Sequence, residues 1–377
     1  MSKKGSGWVL RFCCIATMLG VWNADAQSRP PLRAKSEINA FRTSPIMFKA
    51  DDSFPSLAAS PVFEYPLQCS SDGTVFIRMI EPPRFTNSRI YAISPDHQVR
   101  QYNQELIGEL HDVQLRGYFG SEEEVLLLVF ATRDDKKQAA TLRLPDGQVK
   151  EQTVSAGEHH YFVAVFDRDG TFKKSIGIDD AIEPRQVARF PSGEFLVYGM
   201  ETESQSARLA LLNPDGTILR FLSTPSFSQK TLSDLRQGVP GLPKSFGVVP
   251  ATQLLLFREN VLVISEGVRE PVLEINNAGN IRVVQIRLPD DYVVEGFVPS
   301  TKHWYVAAAP SAPIGKFVDS SSNILFEINP EDGAPLRRLE PQNANVGDLA
   351  CAPDDDFIAF RRDKEGKLTR MMGTVSR

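Results

Sequence analysis

Histidines, cysteines and carboxylates are the side chains of this sequence that could act on a substrate or hold a metal, and their spacing decides what each could do. The histidines are His97, His111, His159, His160 and His303. No Gly-x-Ser-x-Gly element offers them a nucleophile on a strained turn. His159 and His160 stand at the entry to an apolar run, and adjacent side chains of a strand point to opposite faces, so the two cannot share one metal ion. His97 occupies a turn position where Gly is usual. His303 opens a His-Trp-Tyr cluster whose alternation suits packing between sheets, with a stacking surface as the other use. A hard divalent cation would want oxygen ligands, and Glu64, Glu183, Glu295 and Asp348 each stand near the start of an apolar run. Their offsets differ, Glu64 lying eight before Asp72 and Asp348 six before Asp354, whereas a symmetric ligand set repeats its offset. Solvated charge at strand ends is the reading they support. EF-hand loops and phosphate-cradling Gly-rich loops are absent as well. The sequence therefore assigns no catalytic residue, no metal ligand and no cofactor.

Cysteines point to a different chemistry. Cys13 and Cys14 lie in the N-terminal apolar stretch, which leaves Cys69 and Cys351 for the rest of the chain, at a spacing that excludes a Cys-based zinc site. Each stands three before an Asp, and Leu67 and Leu349 each stand two earlier. The two cysteines thus occupy one position of a repeated element.

That element is a strand meander. The phrases Phe-Asp-Arg-Asp-Gly (166–170), Leu-Asn-Pro-Asp-Gly (212–216), Ile-Asn-Asn-Ala-Gly (275–279) and Ile-Asn-Pro-Glu-Asp-Gly (328–333) each follow an apolar run and precede a short stretch with a basic residue. A type I turn followed by a left-handed Gly closes a bulged hairpin. The clearest unit spans residues 183–225, with strands ending at Phe190 and running over 194–199, 207–212 and 217–222. Comparable units cover 63–103, 110–178, 254–288, 294–339 and 347 onward, which makes six four-stranded units. The second carries a polar insertion, 132–160, with its own Pro-Asp-Gly hairpin; if that insertion is a degenerate unit, the count is seven. The last unit runs out of chain after three strands, and a strand over 46–49 is available to complete it. The fold expected is an all-β propeller of six four-stranded blades, its ring closed by an N-terminal strand. Ring closure would bring Cys69 and Cys351 side by side as a candidate disulfide, with Cα atoms near the 7 Å limit for such a bond. A short helix over 228–237 is the one helical signal.

These Asp-Gly meanders, from about Phe63 to the end, make the chain resemble the secreted bacterial six-bladed β-propellers of the NHL and TolB-like type. The Trp-Asp ending of WD40 blades and the double Gly of kelch blades do not occur. The resemblance implies an architecture and carries over no site residue.

Residues 1–26 have the form of an export signal: Lys3, Lys4 and Arg11, then an apolar stretch, then Ala24-Asp25-Ala26. That stretch is shorter than the ~20 residues a bilayer span needs, and no later segment is long and apolar enough. Cleavage before Gln27 would move the formal charge from −5 to −7. An acidic chain without a basic stripe gives no case for nucleic-acid binding. Glu122, Glu123 and Glu124, like Asp354, Asp355 and Asp356, precede apolar strands as solvated turn charges. The domain plan is a signal peptide at 1–26, a linker with the closing strand at 27–60, and the propeller at 61–377, secreted or periplasmic. Its expected function is to bind a protein, peptide or glycan through loops on one face, with 132–160 and the crossing 224–246 as the loops to examine. The competing class is a divalent-metal hydrolase or lactonase with its site in the central channel, and the third is a structural role in an envelope complex.

Overall fold

The computed structural model describes residues 42–52, 54, 62–80, 88–134, 137–143, 148–155, 157–224, 252–265, 271–289, 292–300, 303–310, 324–342, 348–353, 356–362 and 368–375. The signal segment, nearly all of the linker before residue 42, and the crossing with its expected helix lie outside the described residues.

Strand β1 (Arg42–Ala50) contains the strand expected over 46–49 and is longer at both ends. The first sheet follows it as an ordered meander, β2 (Val62–Cys69), β3 (Val75–Ile80), β4 (Ser88–Ile93) and β5 (Val99–Tyr102). The second has β6 (His111–Gly120) and β7 (Glu124–Thr132), then β10 (His160–Asp167) and β11 (Phe172–Gly177). Between its halves the insertion folds as a separate two-stranded hairpin, β8 (Lys137–Arg143) on β9 (Val149–Ser155). The third sheet is β12 (Ile182–Arg189), β13 (Phe195–Glu201), β14 (Ala207–Leu212) and β15 (Ile218–Leu222), which is the 183–225 meander. The fourth is β16 (Thr252–Phe257), β17 (Asn260–Ser265), β18 (Val272–Ile275) and β19 (Ile281–Val284).

The remaining strands depart from the expectation of six separate sheets. Four sheets are separate and four-stranded; the fifth has eight strands. Its order is β20 (Tyr292–Pro299), β21 (Trp304–Pro310), β22 (Ile324–Ile328), β23 (Pro335–Pro341), β1, β26 (Leu368–Val375), β25 (Asp356–Arg362), β24 (Asp348–Cys351). The physical reason is that β1 bonds along both edges, antiparallel to β26 and parallel to β23. Ile46 and Phe48 are buried there, and Phe48 lies over Gly373, its register partner, where a Cβ would strike the ring.

The arrangement is propeller-like. First strands of the successive four-strand runs are neighbours in the order β20, β24, β2, β6, β12, β16, and the ring of Phe257 at the end of β16 meets Trp304 of β21 edge-on. The apolar core lies between sheets. One cluster joins Leu67, Val75 and Ile77 to Cys351, Ile358 and Phe360; another joins Leu255 and Phe257 to Trp304 and Phe326. Trp304 and Tyr305 are fully buried, so both rings of the His-Trp-Tyr cluster pack between sheets.

The Asp-Gly phrase turns out to be a docking device between sheets. Gly170, Gly216, Gly279 and Gly333 have φ of 96°, 90°, 70° and 72°, the left-handed conformation a side chain resists. Each turn then meets the outer strand of the preceding sheet or the link that follows it. Arg100 of β5 donates to the Arg168 carbonyl (3.1 Å), Arg220 of β15 to the Ala278 carbonyl, and Arg282 of β19 to the Pro330 carbonyl (2.9 Å). At Gly216 the amide of Asp179 supplies the bond (3.2 Å), and a Cβ there would collide with the Gly177 carbonyl. Among the described residues no helix is long and apolar enough to cross a membrane.

Candidate functional site

Two cavities lie at opposite ends of the strands. At one end, turns after β2, β6, β12, β16, β20 and β24 converge on a cavity of about 400 Å³. Cys69 and Cys351 face each other in its wall, Cα atoms 5.7 Å apart and sulfurs at bonding distance. Arg189, at the end of β12, forms an ion pair with Glu124 at 2.7 Å and lies over the Phe195 ring. Both partners are about one-fifth exposed, so this charge is largely neutralised inside the wall.

Arg258 contributes differently. It sits in the two-residue link between β16 and β17 with φ 57°, while the corresponding end of the first and third sheets uses Gly73 and Gly193 at 84° and 108°. A left-handed backbone costs a non-Gly residue on the order of 1 kcal/mol. Its guanidinium rests 4.9 Å from the centre of the buried Phe257 ring. In the same lining, Glu122 accepts a hydrogen bond from Ser71, and Glu123 is exposed beside it.

The other cavity is an open groove of about 600 Å³ lined by the segments that flank the β8–β9 hairpin in sequence, where β7 ends and the connection from β11 to β12 passes. His160 lies in it, Nδ1 3.0 Å from Asp180 Oδ1, with Glu158 at 4.0 Å from Nε2. The hydrogen bond to Asp180 raises the pKa of His160 above the ordinary histidine value. Arg133 stacks on Phe162 and donates to the Ser175 hydroxyl at 3.1 Å. Asp134 and Asp179 complete the lining, the latter accepting from the Ala181 amide at 2.9 Å. His159 turns away to stack on Phe130, so the adjacent histidines do serve different surroundings.

The remaining candidates are not drawn together. His97, at φ 67°, reaches Asp51 (2.9 Å), and His303 reaches Glu327 (3.1 Å). Glu183 pairs with Arg185 (2.6 Å) and accepts from Tyr161 (3.2 Å). The side chains of Glu64, Glu295 and Asp348 lie outside the described ones. Among the described residues no three His, Cys, Asp or Glu side chains form a group that could hold a metal ion. Sequence reasoning passed over Arg258; the available signal was a Phe-Arg-Glu-Asn link with no Gly between two apolar runs.

No known protein family matches the chain, and no curated protein does. Solved structures similar to it include virginiamycin B lyase from Staphylococcus aureus, 11% identical with TM-score 0.37, covering 86% of this chain and 99% of that one. Another is YCF48 bound to a D1 peptide, 10% identical with TM-score 0.36 over 85% and 96%. A protein of unknown function from Bacteroides caccae is 16% identical with TM-score 0.31 over 67% and 90%. At these scores the likenesses carry no argument, and the fold rests on the strand pairing itself.

Proposed function

We propose that this chain is an exported six-bladed β-propeller that binds a peptide bearing Lys or Arg in the groove lined by the segments that flank the β8–β9 hairpin. Six blades follow if the eight-stranded sheet is divided beside β1, which then serves as the fourth strand of the β24–β26 blade and closes the ring. The NHL and TolB-like resemblance and the export signal at 1–26 belong to the same reading, as does a disulfide between Cys69 and Cys351 formed in an oxidising compartment. Among protein, peptide and glycan ligands, one observation favours a basic peptide. Four carboxylates, Asp134, Glu158, Asp179 and Asp180, line the groove against two basic side chains, Arg133 and His160. The β8–β9 hairpin is inserted between Asp134 and Glu158 of that lining, where a scaffold presents a recognition loop.

Arrays of peptides and of glycans, probed with the chain from residue 27, test this. The expected result is binding to Lys- or Arg-containing peptides that disappears when residues 135–156 are replaced by Asn-Gly. Binding should tighten as pH rises through the raised midpoint of His160, because the imidazolium that competes with a cationic ligand is then lost. Undiminished binding without the hairpin, or a preference for acidic peptides or glycans, would overturn the assignment.

A further inference from the structure

We infer that the cavity at the other end of the strands is a second, independent site that takes a small zwitterion, a dipeptide with an apolar side chain. Three observations carry this. First, the link between β16 and β17 holds Arg258 at φ 57°, in a two-residue hairpin position that Gly fills with least strain. The chain accepts that strain and places an exposed guanidinium in the cavity lining, 4.9 Å from the centre of the buried Phe257 ring. No carboxylate among the described residues pairs with it. Backbone strain of this kind is found where a side chain must be held in one place.

Second, the link between β6 and β7, set apart from Arg258 by the internally neutral Arg189–Glu124 pair of the sheet between them, carries Glu122 and Glu123. The cavity lining is therefore dipolar: cationic at one link, anionic at another. A ligand with a carboxylate at one end and an ammonium at the other matches both, and a singly charged one leaves one link unmatched. Third, Phe190, Pro191, Leu256 and Pro353 give the cavity an apolar lining as well, and about 400 Å³ suits a ligand of this size. The hairpin groove lies at the other end of the strands and has no lining residue in common with this cavity.

Isothermal titration calorimetry with glycyl-L-phenylalanine decides it. Saturable binding to the chain from residue 27 is expected, together with a loss of at least tenfold in Arg258→Gly. That variant should melt higher than the parent, since Gly adopts the positive φ without strain, so lost binding cannot be ascribed to lost fold. The C-terminal amide of the same dipeptide should bind the parent as weakly as the acid binds Arg258→Gly. The N-acetyl form should match the acid on a Glu122→Gln, Glu123→Gln double variant. Absence of saturable binding at millimolar dipeptide, or full affinity in the better-melting Arg258→Gly, would overturn the inference.

Discussion

The junction between the third and fourth sheets and the junction between the last strands and the first sheet solve one packing problem with different means. At the former, Arg220 donates to the Ala278 carbonyl and Asn277 to the Ser192 hydroxyl at 3.0 Å, both at the exposed margin of a large apolar cluster. At the latter, Arg370 of β26 is 3% exposed. It donates to Asp51 Oδ2 through Nε and Nη2 at 2.7 and 2.6 Å, and it reaches the Ser94 carbonyl on the first sheet's own turn at 3.4 Å. His97 contacts the same Asp51 oxygen at 2.9 Å. The Cys69 and Cys351 contact adds to this seam. An interior junction joins sheets that follow one another in the chain, so proximity is already supplied. The seam joins residues separated by up to 319 positions, and there Arg370 is buried and Asp51 nearly so, so removing one leaves the other with much of its desolvation penalty.

If that contrast is real, damage at the seam should exceed damage at an interior junction. Truncation to residue 51 is the severest break. It removes the buried Ile46 and Phe48 and leaves two strand edges bare, a loss on the order of 5 kcal/mol or more. The expected outcome in calorimetry is a melting temperature lower by roughly 10 °C or more; a change of one or two degrees would make β1 dispensable. Arg370→Ala comes next, at about 3 kcal/mol, because the nearly buried Asp51 carboxylate loses both of its guanidinium bonds. Arg220→Ala, its interior counterpart, should cost at most about 1 kcal/mol. Equal denaturant midpoints for these two variants would erase the contrast.

The cysteines sharpen the comparison further. If oxidised, the pair encloses 282 residues of sequence separation, and Cys351→Ser should lower stability by about 2–4 kcal/mol. Thiol counting on denatured, unreduced protein is the direct check, and two free thiols would place the pair among reduced neighbours. The smallest effect belongs to an interior contact, Asp180→Asn. Asp180 raises the His160 pKa, so this stabilisation is complete below the unfolded histidine value near 6.5. It fades as pH rises through the raised folded value. The variant should bring the His160 midpoint down in an NMR titration and weaken the protein at pH 5 but not at pH 9.

Much of the sheet plan could be read from residues alone, because the strands of the clearest meanders end in residues with one structural use. The 183–225 meander is bounded by Pro191, Gly193, Pro214 and Gly216, and the hydrogen-bonded strands begin and end within a residue or two of the expected places. The matched settings of Cys69 and Cys351 were visible too, through the leucine two residues before each. The insertion announced a hairpin by its Pro-Asp-Gly, and β8 and β9 pair as one. What could not be read depends on contacts without a local pattern. Arg370, Asp51 and His97 each look like solvated surface residues until the fold buries them together. The parallel pairing of β1 with β23 arises from the two free edges and has no period of its own. Arg258 was hidden because positive φ is inferred from Gly, and here the sequence places a charge instead. The groove around His160 needed three separated segments, of which one, the insertion, stood out by polarity.

The repeated turns also have a direction. Those at 166–170, 213–216, 276–279 and 329–333 each settle on a strand already earlier in the chain. A polypeptide emerging N-terminus first, at ~5–20 residues per second, can therefore add one sheet at a time to a surface that already exists. The turn at 94–98 is the exception: it must wait for Arg370, 276 residues after Ser94. Through all of that interval the earliest strands stand with one face uncovered, which is when a holding chaperone would be needed most.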